Sequence, residues 1–185
     1  MIKFVSMTAE ANAVYERWTR VVPEDDEPDV VGVQVAPASN EALDAFQARF
    51  GLELPSSFRA LYALSNGTST MDGDENVFWS LTAMSNVRAS FEVEDPTAHW
   101  VAFADFRLQS STYYLRLDRK DGGDSVWLDA PKRNVQLIDR AVRIADSFAE
   151  FLTRYAESPL YWKKKQKEKK ATSRAGRVRA RKSRG

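Results

Sequence analysis

The stretch FGLELPSSFRALYALSNG runs from Phe50 to Gly67 and holds the signals that decide the fold. Gly51 ends an amphipathic helix, since glycine adopts the left-handed conformation of a helix C-terminus without strain. Pro55 fits the first turn of the next helix, where a missing N–H is harmless. An apolar stripe follows, and Asn66-Gly67 provides the exit from this second helix. The stretch therefore predicts two successive helices joined by a short Leu-Pro connection.

The segments on either side extend this pattern. Apolar residues at helical spacing predict a helix over residues 9–21, and Ser39 is a suitable N-cap for the helix that ends at Gly51. Beyond Gly67 the period becomes that of strands, with a hairpin signal at Asp121-Gly122-Gly123. The predicted strands are Val77–Leu81, Trp100–Ala104, Thr112–Leu117, Ser125–Leu128 and Val135–Ile138. A last helix begins near Ser147, which has capping-box spacing to Glu150.

This order of elements predicts an α+β fold, in which an antiparallel sheet is packed by N-terminal helices and a C-terminal helix. We expect one folded domain over residues 1–158. Residues 159–185 form a basic, low-complexity C-terminal tail. Its composition, poor in apolar side chains and rich in like charges, predicts disorder.

The composition excludes several kinds of site. The 185 residues include no Cys and a single His, His99. Disulfides, cysteine nucleophiles and thiolate metal sites are thereby ruled out, and one His does not suit a His-rich zinc site. The sequence has no run long and apolar enough to span a membrane, and its interrupted apolar N-terminus is unlike a secretion signal. We expect a cytoplasmic protein without metal or cofactor.

Charge is divided unevenly along the chain. The 27 Lys and Arg residues and 26 Asp and Glu residues give a net charge of only +1. Twelve of these cations and a single acid fall between Lys163 and Gly185, so this basic segment carries +11. Residues 1–162 retain 15 basic and 25 acidic side chains, which leaves −10. An acidic body therefore carries a strongly basic end.

Several of these motifs resemble the SUKH superfamily, which includes the fungal Smi/Knr cell-wall regulators and many bacterial immunity proteins. The likeness begins with Phe50-Gly51-Leu52-Glu53-Leu54-Pro55 and continues through the helix that closes at Asn66-Gly67. Residues 145–152, ADSFAEFL, resemble the closing helix of the superfamily. The strands near Trp100 and Tyr113 resemble its central strands. The resemblance extends over about residues 14–156.

The resemblance implies a domain that binds a partner protein and catalyses nothing. It implies structural roles for eight residues that match the motifs: Gly51, Leu54, Pro55, Asn66, Gly67, Ser147, Phe148 and Phe151. One position departs from the pattern. Superfamily members usually have Glu where this chain has Gln47, so a charge-assisted hydrogen bond would become a neutral one.

Acidic residues in two segments are candidate partner-binding residues. Nucleases hold phosphate with basic sites, so an acidic surface suits an inhibitor of such an enzyme. The candidates are Asp25, Asp26, Asp72, Asp74 and Glu75. The second segment starts like a calcium-binding loop, but Val77 stands at the required Gly position and Ala83 at the required Glu position. Ordinary solvated acidic segments are the alternative interpretation.

The basic segment suits a nucleic acid or an anionic surface, because clustered cations bind polyanions with little sequence preference. Its candidate contact residues are Lys163, Lys164, Lys165, Lys169, Lys170, Arg177, Arg179 and Arg181. The segment holds no aromatic residue, so it contributes no base stacking. Contact with the acidic body and a solvated extension without a partner are the alternatives.

The large aromatic residues and the single His have structural interpretations. We expect the four Trp residues on predicted elements to fill the core: Trp18, Trp79, Trp100 and Trp127. Trp162 borders the basic segment, and we expect it to be partly exposed. His99 has a pKa suited to proton transfer, but no nucleophile motif accompanies it, which favours a structural contact at a strand end.

Two functional hypotheses follow. The first is a non-catalytic immunity protein that neutralises a cognate toxin, with a nuclease as the class that an acidic inhibitor suits. The alternative is a nucleic-acid-associated scaffold or regulatory protein that uses its basic segment. An enzyme is disfavoured, because the chain has no phosphate-binding glycine motif, metal set or catalytic triad. The sequence leaves the partner, its binding face and the oligomeric state open.

Overall fold

The computed structural model describes residues 8–19, 22–24, 27–29, 35–51, 53–72, 74–84, 98–107, 110–118, 123–129 and 141–162. Within these ranges the α+β prediction is confirmed. The helices are α1 (Ala9–Thr19), α2 (Asn40–Phe50), α3 (Ser56–Leu64) and α4 (Phe148–Glu157). The strands are β1 (Val22–Glu24), β2 (Glu27–Asp29), β3 (Asn76–Phe78), β4 (Ala98–Phe106), β5 (Ser111–Asp118), β6 (Asp124–Asp129) and β7 (Val142–Ala145).

Five strands form one antiparallel sheet in the order β3-β4-β5-β6-β7. Each strand pairs with its neighbour in sequence, so the predicted antiparallel sheet is a meander. In its centre, Val101 lies opposite Leu115, and Leu115 lies opposite Val126. A register shift between Ala102 and Ala104 interrupts the pairing of β4 with β5. Strands β1 and β2 form a separate two-stranded sheet.

The main core lies between the sheet and the helices. Successive side chains of a strand point to opposite faces, and the inner face of β4 and β5 contributes Val101, Phe103, Tyr113 and Leu115. The rings of Phe148 and Phe151 in α4 lie 5.4 and 5.5 Å from the ring of Phe103, both edge-on. Burial of such side chains is worth about 1.5–3 kcal/mol each. Phe148 and Phe151 are both completely buried.

The helices begin and end where their capping residues predict. The Ser39 hydroxyl accepts a hydrogen bond from Ala42 N at 3.2 Å at the start of α2. Gly51 ends that helix in the left-handed region with φ of 63°. At α4 the Ser147 hydroxyl accepts from Glu150 N, and the Glu150 carboxylate accepts from Asp146 N. The reciprocal bonds at α4 confirm the predicted capping box, with the return bond one residue before the cap.

The Leu-Pro connection between α2 and α3 is held by Gln47. The Gln47 side-chain carbonyl accepts a hydrogen bond from Leu54 N at 3.1 Å, so a neutral bond forms at this position. Leu54 is buried, and Pro55 is the N-cap residue directly before α3. A neutral side chain therefore holds the backbone just before α3.

The turn after α3 depends on close packing of its backbone. The Asn66 side-chain carbonyl accepts from Leu81 N at 2.9 Å. Gly67 has φ of +88°, and a Cβ at this position would lie 2.5 Å from the carbonyl oxygen of Phe78. Glycine is therefore required here by both conformation and space.

The structure differs from the predicted strands at two places. Strands β1 and β2 pair in antiparallel fashion, with Pro23 opposite Pro28, in a region where no strand was predicted. Strand β7 was not predicted, and the predicted strand Val135–Ile138 lies outside the described residues. The domain boundary at residue 158 stays a prediction, and the described chain continues past it to Trp162.

Replacement of Gly67 by Ala should destabilise the fold more than the same change at Gly51. Both glycines have positive φ, which costs a non-glycine residue roughly 1–2 kcal/mol. At position 67 the added Cβ also overlaps backbone atoms of Phe78 and Trp79, so we expect at least twice the loss measured for Gly51→Ala. Urea unfolding of both variants measures the two losses. Equal losses would contradict the packing argument.

Candidate protein-binding surface

The acidic loop, residues 71–75, leads into β3 and contains three of the predicted partner-binding residues. Asp72 is only 8% exposed. One of its carboxylate oxygens accepts from Asp74 N and Asn76 N at 3.0 and 2.9 Å. The other accepts from the Tyr155 hydroxyl of α4. Asp72 thus holds the loop against the closing helix, and its carboxylate is engaged within the fold.

The other two acids of the loop are closer to the surface, and each pairs with an arginine. The Asp74 carboxylate, whose side chain is 30% exposed, contacts the Arg17 guanidinium of α1. The Glu75 carboxylate, whose side chain is 46% exposed, lies 2.5 Å from Arg107 Nε. A partner that bound these carboxylates would compete with both arginines. The surface around the loop therefore carries acidic and basic side chains next to each other.

The remaining predicted contact residues are not placed by the structure. Asp25 and Asp26 fall between β1 and β2 and lie outside the described residues. The same is true of Lys163, Lys164, Lys165, Lys169, Lys170, Arg177, Arg179 and Arg181. Their roles stay predictions.

A chain of buried hydrogen bonds connects the acidic loop to the last described residue. The Tyr113 hydroxyl donates to the Asn76 side-chain carbonyl, and Trp162 Nε1 donates to the Tyr113 hydroxyl, both at 3.0 Å. Trp162 also packs edge-on against Phe106 at 5.6 Å. At 6% exposure it is buried, so the expectation of partial exposure was wrong. The basic segment therefore starts directly after a residue that is anchored in the core.

The face of the sheet away from the helices carries a second aromatic cluster, which we call the outer aromatic cluster. It consists of buried Trp100 and Tyr114 and of partly buried Trp79 and Trp127. The Trp100 and Trp127 rings meet edge-on at 5.5 Å, and the Arg116 guanidinium lies 5.8 Å from the centre of the Trp100 ring. Trp, Tyr and Arg are the residues most enriched at energetically important positions of protein interfaces.

The expectation that all four tryptophans on predicted elements fill one core was only partly correct. Trp18 fills the main core as expected, at 1% exposure, but Trp100 lies in the other cluster. Trp79 and Trp127 are only partly buried. The sequence held a signal for this difference. Trp100 and Val101 are neighbours in one strand, so their side chains must point to opposite faces of the sheet.

The described part of the chain was also searched for a metal site and for a membrane-spanning helix. It contains no group of three or more His, Asp or Glu side chains arranged to hold a metal ion. No helix within it has the length and apolar character needed to cross a bilayer. His99 is 7% exposed and lies in β4 opposite Leu117, inside the strand rather than before it.

Comparison with known protein families gives a match over more than half of the chain. The model of a family described as SMI1/KNR4 (SUKH-1) matches residues 37–154. The matched range starts just before α2 and ends within α4, so it includes all five strands of the main sheet. No curated protein matches the chain.

The stability of the protein should depend on the protonation of Asp72. Burial raises the pKa of this carboxyl above its ordinary value of 3.8, although hydrogen bonds from the N–H groups of Asn76 and Asp74 act in the opposite direction. The folded state then holds the proton more tightly than the unfolded state. This contribution to stability is complete below pH 3.8 and is lost as pH rises through the raised pKa.

We therefore expect the free energy of unfolding of the wild type, relative to Asp72→Asn, to fall as pH rises from acid to neutral. The amide in the variant keeps an acceptor for the loop N–H groups but does not titrate. Denaturant unfolding of both proteins across this range measures the difference. A difference that stays constant or grows with pH would contradict the raised pKa.

Proposed function

The chain belongs to the SMI1/KNR4 family (SUKH-1), and on that premise we propose that it is an immunity protein that neutralises a cognate toxin by binding it. The family has general immunity and regulatory roles, and its domains bind partner proteins such as toxins. The match over residues 37–154, which includes the whole main sheet, is the observation that carries the proposal. The protein acts without catalysis, in the cytoplasm where the toxin would reach its target.

The charge of the folded part supports a basic partner. Residues 1–162 carry −10, and an acidic protein attracts a basic one at long range and speeds their encounter. A nuclease is a toxin class with the required basic site, because it must hold phosphate. Asp74 and Glu75 are the described acids of the predicted set that reach the surface. On binding, these two carboxylates would leave Arg17 and Arg107 and pair with basic side chains of the toxin.

Coexpression with the product of an adjacent gene tests the proposal. We expect the full chain to protect cells from that product and the purified proteins to form a stable complex. The chain that ends at Trp162 should protect equally, because it retains every described element. A product that is toxic but neither bound nor neutralised would overturn the proposal, and so would the absence of a toxic product from the neighbouring genes.

The contribution of the acidic loop can be measured with a neutral double variant. Asp74→Asn combined with Glu75→Gln removes two charges and keeps the shapes, and we expect toxin affinity to fall between roughly twofold and thirtyfold, mainly through slower association. Glu41→Gln together with Glu157→Gln removes two exposed acids from α2 and α4 as a matched control. Surface plasmon resonance measures both rates. Equal effects of the two double variants would remove the acidic loop from the interface.

The basic segment favours a second candidate function, that of a nucleic-acid-associated scaffold or regulatory protein. Twelve cations within the 23 residues after Trp162 are the observation behind it. Binding of DNA or RNA should weaken steeply with salt, since released counterions drive such binding, and should disappear when residues 163–185 are deleted. Electrophoretic mobility shifts of the full and shortened chains measure both effects. Equal binding by the shortened chain would reject a role for the segment.

A further inference from the structure

We propose that Asn66-Gly67 is a site of spontaneous covalent modification, which the native fold blocks and which unfolding makes reactive. Of the six Asn residues in the chain, only Asn66 is followed by Gly. Glycine has no side chain to hinder its backbone nitrogen, so this nitrogen can attack the side-chain carbonyl carbon of a preceding asparagine. Asparagine is accordingly one of the thermolabile residues of proteins.

The reaction requires only water as a second reactant. The Gly67 nitrogen loses its proton and bonds to Cγ of Asn66, while the bond from Cγ to the side-chain nitrogen breaks. That nitrogen takes up the proton and leaves as ammonia, and a five-membered succinimide ring remains. Water then opens the ring at either carbonyl. The products are aspartate and isoaspartate, in which the backbone passes through the side-chain carbons, and no atom is oxidised or reduced.

The backbone of the native turn is wrongly oriented for ring closure. Gly67 N donates to Ser65 O at 2.9 Å, which closes a three-residue turn about Asn66. The φ of Asn66 is not positive, and a turn of this kind then has ψ of about +65°. Ring closure instead needs the attacking nitrogen on the same side of the Cα–C bond as Cβ, which corresponds to a strongly negative ψ. The peptide group between Asn66 and Gly67 must therefore rotate before the ring can form.

Tertiary contacts on both sides prevent this rotation. Thr68 N donates to Phe78 O at 2.8 Å, and a Cβ on Gly67 would lie 2.5 Å from the same oxygen. The Asn66 side-chain carbonyl accepts from Leu81 N at 2.9 Å. Breaking these bonds leaves buried backbone groups without partners, which costs free energy. The contacts that make glycine necessary at position 67 thus also keep the reacting atoms of Asn66-Gly67 apart.

The two products differ in whether they fit this turn. Aspartate keeps the backbone length and an oxygen that can accept from Leu81 N. Isoaspartate adds one carbon atom to the backbone between residues 66 and 67. The chain is held before this point by the bond from Asn66 N to Ala36 O and after it by the bond to Phe78 O. The longer backbone does not fit between these contacts, so an isoaspartyl chain cannot regain the native turn.

Peptide mass mapping of the full chain tests whether the fold blocks the reaction. The wild type is incubated in mildly alkaline buffer with and without concentrated guanidinium chloride, and the tryptic peptide of residues 60–88 is followed. Deamidation of Asn66 changes its mass, whereas isomerisation at Asp72-Gly73 in the same peptide does not. We expect the reaction to be at least about a hundredfold slower in buffer than in denaturant. Equal rates would overturn the proposal.

A pair of variants tests the contribution of the turn itself. The Thr68 hydroxyl accepts from Phe78 N at 3.0 Å, and Thr68→Val removes this bond while it keeps the shape of the side chain. We expect deamidation of Asn66 in buffer to become about threefold faster or more. Thr153→Val, which removes an exposed hydroxyl from α4, is the matched control. An unchanged rate in Thr68→Val, or an equal increase in both variants, would contradict the role of the turn.

Refolding of the separated products tests the effect of the modification. Chains modified in denaturant are separated by chromatography, mapped and diluted into buffer, and near-ultraviolet circular dichroism reports native packing. We expect unmodified and aspartyl chains to refold and chains with isoaspartate at position 66 to remain non-native. Asn66→Asp supplies the aspartyl form without treatment. Full refolding of the isoaspartyl chain, or failure of Asn66→Asp to fold, would contradict the argument from backbone length. The wild-type comparison in buffer and denaturant requires no variant to fold.

Discussion

The packing of α4 against the inner face of the sheet is the interaction on which the rest of the structure depends. Phe148 and Phe151 place their rings against Phe103, and Tyr155 reaches past them to the carboxylate of Asp72. One helix thereby contributes apolar contacts to the core and a polar contact to the loop before β3. The capping bonds at Ser147 fix where this helix starts, and hence which residues face the sheet.

The buried inner face also determines what the outer face presents. Because side chains alternate along a strand, a register in which Val101 and Leu115 point inward sends Trp100 and Tyr114 outward. A slip of one residue would turn the side chains of the outer aromatic cluster toward the helices and those of the main core away from them. The outer face is therefore specified by the same apolar contacts that stabilise the fold, and its aromatic character is a constant feature of the native state.

The charged residues are distributed differently along the sequence and in the fold. Net charge separates the acidic body from the basic segment along the sequence, whereas in the fold the surface acids Asp74 and Glu75 lie beside Arg17 and Arg107. Hydrogen bonds then link the acidic loop through Asn76 and Tyr113 to Trp162. Trp162, the last residue before the basic segment, is thus tied to the acidic loop, and protein binding and polyanion binding are proposed for different parts of the chain.

The sequence by itself determined the fold class, the motif glycines and the helix caps, because these depend on contacts within a few residues. The Gly51 stop, the Ser39 and Ser147 caps and the meander all follow from local pattern, as does the division of charge. Only the tertiary structure decided which tryptophans enter the core, that Asp72 is buried and that Trp162 is an anchor. These outcomes depend on partners 26 to 83 residues away along the chain, and no local pattern records a contact across that distance.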